Sequence, residues 1–268
     1  MKVLKFSQCH RMAMKICWLQ RAEAEVPAHD DWLCANESLR LRNMRFAKRR
    51  ADWRLGRWTA KCAVATYLGR PIESGFLSAI EIRPSLSGAP QVVLGDDSRV
   101  ASISLSHRTG TAMCAIGSPG IALGCDLETI EPRSDAFLAD YFTLEEQRLV
   151  SRAPASDRAL LVALLWSAKE SALKALLQGL RLDTRSLKVN VLSADDDPPT
   201  SPAGSAQRSP TSACTCRQDD WFRVQVQYLN GDRTFHGWWK CTGNLVWTLV
   251  AGSPLLPPLL LDHTYQAV

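Results

Sequence analysis

The sequence predicts an α+β fold made of two halves with similar content. Three observations support it: an amphipathic pattern comes first, short alternating runs with turn residues follow, and the succession of helix and then strands occurs again. The chain has 268 residues, 46% hydrophobic and 22% charged, a globular composition with enough mass for a large core. No sequence repeat between the two halves is evident.

The first predicted helix covers residues 37–68, where apolar residues recur at three- and four-residue steps. Arg42, Arg45 and Arg49 give it a separate basic face. Short alternating runs punctuated by Gly, Pro and Asp then predict a mostly antiparallel sheet around residues 80–125. These runs are AIEIRPSL, QVVLG, SISLSH, TAMCAIG and IALGCDLE.

Helices return in the second half. Thr143, with Glu146 three residues later, predicts a capping box, and Asp157 begins a longer helix. One stripe of that helix is apolar, while Glu170 and Lys174 lie on a neighbouring face. As i,i+4 neighbours they are also consistent with an ordinary surface ion pair. Four strands follow: LKVNVL, WFRVQVQYL, RTFHGWWK and NLVWTLVAG.

The predicted organisation is an N-terminal subdomain at residues 1–122, a C-terminal subdomain at 123–252 and a Pro-rich tail at 253–268. A polar segment rich in Pro, Ser and Asp predicts a mobile insertion at residues 195–219. Residues 241–261 carry no Asp, Glu or Arg, but prolines interrupt their apolar run, so no membrane-spanning helix is predicted.

Charge and cysteine content narrow the class of protein. The net charge is +5, and residues 40–61 contain nine Arg or Lys against the single Asp52, which predicts a polyanionic partner. Nine scattered cysteines without a CxxC pair are typical of a reduced, cytoplasmic chain. Basic residues spread through the N-terminus interrupt any apolar signal core, so secretion is not expected.

Two carboxylates end the run IALGCDLE. Asp126 and Glu128 are two residues apart, so on a strand their side chains point to the same side, with Cα atoms about 7 Å apart. Hard oxygen ligands in this arrangement suit Mg²⁺, which takes one or two protein carboxylates and completes its octahedron with water and substrate phosphates. An isolated pair of this kind is also typical of a solvated strand end.

Three motifs in order make the combination specific. GCDLE at 124–128, YFTLEE at 141–146 and WSAKESALK at 166–174 resemble the signature of the 4′-phosphopantetheinyl transferase superfamily. The strand with Ser-His at residues 102–117 resembles the corresponding family strand. SLSGAPQV resembles the family segment that usually reads Gly-Lys-Pro, with Ala89 in place of the lysine.

The resemblance implies a long, monomeric transferase whose two α/β subdomains are related by a pseudo-two-fold axis. The family transfers the phosphopantetheine arm of coenzyme A to a serine of an acyl- or peptidyl-carrier protein and releases adenosine 3′,5′-bisphosphate. The implied cofactor is Mg²⁺, with Mn²⁺ as an alternative. The implied partners are coenzyme A and an acidic carrier protein, with neither nucleic acid nor a membrane.

The resemblance also implies roles for individual residues. Asp126, Glu128 and Glu170 would surround the metal ion, and Glu170 would take the serine proton directly or through water. Lys174 would protonate or neutralise the leaving phosphate. Contacts to the phosphates of coenzyme A are implied for His107 and Lys169. The group Arg49, Arg50, Arg54 and Arg57 is expected to include a contact to the 3′-phosphate, with Arg49 and Arg57 as the candidates. Glu146 fits a helix cap better than a metal ligand.

Two alternatives remain open from the sequence. The Arg-rich helix and an isoelectric point near 8.8 are also typical of a basic nucleic-acid-binding protein. Ala89 favours a degenerate relative that binds coenzyme A without transferring its arm. Only an active transferase needs the carboxylates and lysines between residues 126 and 174.

Overall fold

The structure is a computed structural model, which describes residues 15–96, 100–178, 181–192, 220–253 and 256–261. It confirms the mixed α+β architecture with antiparallel-rich sheets. The insertion predicted at 195–219 lies outside the described residues, and the predicted subdomain boundaries stay predictions.

The first half runs from a strand through helices to two hairpins. Its elements are β1 (Cys17–Ala22), α1 (Ala35–Arg42), α2 (Ala47–Tyr67), the short α3 (Ser74–Leu77), β2 (Ile80–Pro84), β3 (Pro90–Leu94), β4 (Ser102–Arg108) and β5 (Thr111–Gly117). The antiparallel strands β1, β5 and β4 form one sheet, and β2 and β3 form a separate hairpin. The buried side of α2, including Ala60 and Val64, packs in a core with β1 and β5.

The second half repeats this succession with a larger sheet. Its elements are β6 (Leu123–Thr129), α4 (Asp135–Tyr141), α5 (Leu144–Arg152), α6 (Ala155–Ala175), β7 (Leu187–Val191), β8 (Phe222–Tyr228), β9 (Thr234–Thr242) and β10 (Leu245–Ala251). The sheet order is β6-β10-β9-β8-β7, and all neighbours are antiparallel. A two-residue strand, β11 (Leu259–Leu260), pairs in parallel with β1.

The prediction of one helix over residues 37–68 is wrong. α1 ends at the C-cap Asn43, and the chain is extended at Phe46 before α2 begins. The break allows the Glu37 carboxylate to reach the Lys61 ammonium, at 2.5 Å between Oε2 and Nζ. In one straight helix these two residues would be about 36 Å apart. The break between α1 and α2 therefore occurs together with a long-range buried ion pair. The periodicity of apolar residues in the sequence does not reveal this break.

Other differences concern short elements. The strand β1 was not predicted, because it has only six residues and its second half carries Gln20 and Arg21. The helix α4 was not predicted either, although the Ser134 side chain caps it by accepting from the Phe137 N–H group. The predicted strands between residues 80 and 125 are confirmed, but they divide among three sheets.

The two halves share more than the order of their elements. α2 and α6 both have 21 residues, and their Lys61 and Lys169 are the fifteenth residue of each. These lysines end the stretches WTAK at 58–61 and WSAK at 166–169. The expectation of no sequence repeat is therefore wrong at this point. The pseudo-two-fold rotation between the halves stays a prediction.

A cluster of aromatic and aliphatic side chains joins the halves. Trp18 of β1 packs in one core with Leu127 of β6 and Trp247 of β10. The Lys240 ammonium lies 4.3 Å from the centre of the Trp18 ring. In addition β4 lies beside β6, because the Cys125 N–H group donates to the Ser104 hydroxyl at 2.9 Å. The sheets thus bring the ends of β4 and β6 together.

α6 lies directly on the strands of the second sheet. A Cβ atom added at Gly124 would be 1.7 Å from the Ser171 carbonyl oxygen, so only glycine fits there. The hydroxyls of Ser167 and Ser171 lie 2.8 Å and 2.7 Å from Thr248 Oγ1 on β10. These contacts fix the height of α6 above β6 and β10.

We predict that Gly124→Ala destabilises the protein strongly, since a methyl group overlaps backbone atoms that cannot move aside cheaply. A cost of about 2 kcal/mol or more lowers the melting temperature by roughly 4–8 °C. Gly56→Ala in α2 is the matched control, because its added Cβ has no atom within 4 Å. Thermal unfolding followed by circular dichroism measures both, and equal melting temperatures would contradict the prediction.

Candidate active site

Alternation along β6 separates its core side chains from its carboxylates. Cys125 and Leu127 enter the core between the halves. Asp126 and Glu128 point to the opposite side, the side on which Gly124 contacts α6. Asp126 is only 5% exposed. The prediction that the two carboxylates share one side is confirmed.

Asp126 connects three elements. Its Oδ1 atom accepts from the Lys174 ammonium of α6 at 2.8 Å and from the Ser106 hydroxyl of β4 at 2.9 Å. Lys174 also donates to the Cys125 carbonyl at 3.0 Å. Burial opposes the charged form of this lysine, but Asp126, Cys125 and Glu170 together outweigh burial and raise the pKa of Lys174. Among the described ion pairs Lys174 is paired with Asp126, so the alternative of a simple surface pair with Glu170 is not what forms.

Two carboxylate oxygens at the site lack hydrogen-bond partners within the described part of the chain. They are Asp126 Oδ2 and Glu128 Oε2, and both are buried. The guanidinium groups of Arg108 and Arg133 approach Glu128 Oε2 only to 3.6 Å each. Burial, together with the charge of Asp126, raises the pKa of Glu128. Such orphaned buried oxygens are costly unless a ligand satisfies them.

Glu170 belongs to the same electrostatic cluster. Burial raises its pKa to about 7, and the charges of Asp126 and Glu128 add to this effect while Lys174 opposes it. Three carboxylates and one ammonium therefore share a small, partly buried volume. The guanidinium groups of Arg108 and Arg133 lie 3.6 Å from Glu128 and add positive charge beside it.

The carboxylates of the cluster are candidate ligands for a metal ion. Within the described ranges no group of three or more His, Cys, Asp or Glu side chains is close enough to hold one. The free oxygens of Asp126 and Glu128 nevertheless fit a hard divalent cation, which needs only one or two protein carboxylates when phosphates and water complete its shell. The three-ligand set with Glu170 stays a prediction.

A cleft of about 890 Å³ opens beside this cluster. Its walls are the turn before β3, the start of β3, the first residues of β4, and residues 174–177 at the end of α6 and just after it. Ala89 and Arg233 also line it. The volume falls in the range of small-molecule sites, and Lys174 connects the cleft to the carboxylates.

His107, Arg49 and Arg57 lie on the first half. Partial burial lowers the pKa of His107, and Lys174 and Lys48 add to the effect while Asp52 opposes it. His107 is therefore within electrostatic range of Lys174 and of the first turns of α2, where Arg49 is exposed. The guanidinium of Arg57 lies 4.9 Å from the centre of the Trp53 ring. Roles for these three residues in binding stay predictions.

Lys169 is placed differently from the expectation. Its side chain is fully buried, and its ammonium lies 2.7 Å from Glu146 Oε2. It also donates to the carbonyls of Tyr141, Thr184 and Leu187. An ammonium has three donors, so this arrangement leaves none for a phosphate. The structure therefore corrects the expectation that Lys169 contacts coenzyme A.

The comparison with known families agrees with the motifs. Residues 122–228 match the family model described as the 4′-phosphopantetheinyl transferase superfamily, ACPS. These residues form a domain of this superfamily. The match spans less than half of the chain and indicates phosphopantetheinyl transferase activity in general. No curated protein matches the chain.

The domain of the 4′-phosphopantetheinyl transferase superfamily contains α6, β6 and both helices before α6. Glu146 caps α5, as predicted, by accepting from the Thr143 N–H group at 2.8 Å. None of the described helices combines the length and the hydropathy needed to span a bilayer.

Sequence reasoning missed three polar residues at the transferase site. Ser106 and Arg108 of β4 contact Asp126 and Glu128, and Arg133 reaches Glu128 from the loop before α4. A signal for the first two is present in the strand, since Ser104, Ser106 and Arg108 alternate and so face one side. That β6 lies beside β4 is not apparent from the sequence.

We predict that Glu170→Gln stabilises the metal-free protein above neutral pH. Because the pKa of Glu170 rises from 4.5 to about 7 on folding, the native state binds more protons than the unfolded state between these values. Stability therefore falls as pH rises through this window, by at most about 3 kcal/mol. The variant lacks this loss, so its melting temperature should exceed the wild type's at pH 8 and match it near pH 4.5.

The measurement is thermal unfolding across pH in the presence of a chelator. Glu73→Gln, at an exposed position before α3, is the control and should follow the wild-type curve. A constant difference between Glu170→Gln and wild type at all pH values would contradict the coupling of Glu170 to its neighbours.

Proposed function

We propose that the protein transfers the 4′-phosphopantetheine group from coenzyme A to a serine of an acyl- or peptidyl-carrier protein in an Mg²⁺-dependent reaction. Adenosine 3′,5′-bisphosphate is the second product. The observation that carries the proposal is the pair of buried oxygens, Asp126 Oδ2 and Glu128 Oε2, which have no hydrogen-bond partner among the described residues and lie beside Lys174. The family match supports the class of reaction.

The site's charges suit phosphoryl transfer. Asp126 and Glu128 would hold a divalent cation, which would supply positive charge to the diphosphate of coenzyme A. Lys174 supplies a second positive charge, because its ammonium faces both the carboxylates and the cleft. Such transfer depends mainly on positioning and on charge stabilisation, so no covalent nucleophile on the protein is needed.

Glu170 is suited to receive the proton of the carrier serine. A pKa of about 7 is close to ambient pH, where a general base combines sufficient ionisation with sufficient basicity. As the serine oxygen bonds to the β-phosphorus, the bond from that phosphorus to the bridging oxygen breaks. Lys174 protonates or neutralises the departing phosphate.

The cleft beside Lys174 is the proposed seat of coenzyme A. Ala89 removes one expected positive charge from its wall, and Arg233 lines the same wall region. His107, the exposed Arg49 and Arg57 provide further positive or hydrogen-bonding groups on the first half. The present carboxylates and Lys174 favour an active transferase over a relative that only binds coenzyme A.

The remaining proposals concern the whole protein. We propose a monomer of the long family class with a pseudo-two-fold arrangement, acting in the cytoplasm on an acidic carrier. The exposed Arg42, Arg45 and Arg50 support an acidic partner. Nucleic acid is the alternative polyanion for this surface. Association kinetics and carrier modification distinguish nucleic acid from an acidic carrier protein as the partner.

We predict that Asp126→Asn, Glu170→Gln and Lys174→Ala each lower turnover by roughly 10²-fold or more, the scale for a lost preorganised charge at a transition state. Their effects should be far from additive, because the three side chains form one cluster. Intact-mass spectrometry of apo-carrier proteins incubated with coenzyme A and Mg²⁺ measures transfer. Near-wild-type turnover in all three variants would overturn the assignment.

We predict that Arg42→Glu with Arg45→Glu slows association with an acidic carrier about tenfold at low salt and flattens its salt dependence. Coenzyme A affinity should change less than about twofold, since steering acts on the carrier. Arg70→Glu, exposed beyond the far end of α2, is the matched control. Stopped-flow binding measures the rates; salt-sensitive DNA binding without carrier modification would favour the nucleic-acid alternative.

A further inference from the structure

Glu146 and Lys169 form a buried ion pair that ties three elements together. Glu146 is 2% exposed and Lys169 is 0% exposed. Glu146 Oε1 accepts from the Val189 N–H group of β7 at 2.9 Å, and its Oε2 atom accepts from Lys169 at 2.7 Å. The pair therefore holds α5, α6 and β7 in one arrangement.

The lysine lies directly before a residue of the proposed chemistry. Lys169 is followed by Glu170, and Lys174 lies further along the same helix. A carboxylate is roughly 6 Å from the axis of its helix, so a 15° rotation of α6 shifts it by about 1.5 Å. Misplacement of about 1 Å can lower a rate by roughly 10²-fold.

The contacts on the other side of α6 do not replace the Glu146–Lys169 ion pair. Ser167 and Ser171 bind Thr248 of β10 through hydroxyl groups, which fixes the side of α6 that faces the sheet. Lys169 is anchored instead to carbonyls before α5 and around the start of β7, at 2.9 Å from Thr184 O and 2.8 Å from Leu187 O. The two serines and Lys169 therefore hold α6 at separate points around its axis.

The first half contains an equivalent buried Glu–Lys ion pair, but the residue after its lysine has no proposed role in the transfer reaction. Glu37 Oε1 accepts from the Ile82 N–H group at 3.0 Å, and Oε2 lies 2.5 Å from the ammonium of Lys61. Lys61 also donates to two carbonyls at 3.0 Å each. Cys62 follows Lys61 where Glu170 follows Lys169. Matched changes in both pairs therefore separate a general loss of stability from a specific loss of function.

We propose that Glu146 and Lys169 are positioning residues that set the rotation of α6 and so place Glu170 and Lys174 for transfer. The inference rests on the proposed function. It gives Lys169 a role through its neighbours, without contact to substrate. Glu146, in the first turn of α5, has the same role, because it binds Lys169 and so helps to hold α6 in place.

The test compares Glu146→Gln/Lys169→Met with Glu37→Gln/Lys61→Met in the full chain. Both double variants replace a buried ion pair by neutral side chains of similar size, which often preserves folding. The readouts are carrier turnover, the KM for coenzyme A, and Mn²⁺ affinity by electron paramagnetic resonance. Thermal melting of each variant controls for stability.

We expect the Glu146/Lys169 variant to lose at least tenfold in kcat and tenfold in Mn²⁺ affinity, with the KM for coenzyme A within threefold. The Glu37/Lys61 variant should keep kcat and Mn²⁺ affinity within threefold, although its melting temperature falls as much. If the double variants do not fold, the milder Glu146→Gln and Glu37→Gln replace them, with a loss of at least threefold in Mn²⁺ affinity expected only for Glu146→Gln.

Equal losses in the two halves, or unchanged Mn²⁺ affinity and kcat in the Glu146/Lys169 variant, would overturn the positioning role. Failure of the proposed function is a different result: the wild type then binds Mn²⁺ but modifies no carrier. In that case the Mn²⁺ affinities of the variants still decide the positioning role. Absence of Mn²⁺ binding by the wild type would overturn both.

Discussion

The direct contact between β6 and α6 at Gly124 is the constraint on which the candidate site depends. Because no side chain separates the strand from the helix there, the carboxylates of β6 and the charged residues of α6 come within interaction distance. A bulkier residue would move the helix away and leave Lys174 short of Asp126. The glycine of the G-x-D-x-E motif thus has a packing role, while its two acidic residues have the electrostatic one.

The same closeness concentrates negative charge. Ser106 and Lys174 satisfy one oxygen of Asp126, but the second oxygen and Glu128 Oε2 stay without hydrogen bonds among the described residues. The raised pKa values of Glu128 and Glu170 express the cost of this crowding. The crowding of the carboxylates lowers the stability of the folded chain. A cation bound to them would restore that stability.

The repeated frame separates what supports the fold from what performs the chemistry. The strand β1 packs in a core with α2 and carries no Asp or Glu, whereas β6 carries Asp126 and Glu128. Both halves contain a buried Glu–Lys pair, but of the strands β1 and β6 only β6 directs carboxylates toward its long helix. The frame is therefore a general structural solution, and the chemistry depends on a few substitutions within it.

The sequence by itself determined the α+β class, most strands, the capping box at Thr143 and Glu146, and the carboxylates at Asp126 and Glu128. These depend on periodicity, capping and motif spacing, which act over a few residues. Only the tertiary structure decided that α1 ends at Asn43, that Lys174 pairs with Asp126, and that Lys169 is buried against Glu146. Each of these depends on groups more than twenty residues apart in the chain or on packing between elements, and burial decides which polar partners meet, so local patterns carry no record of them.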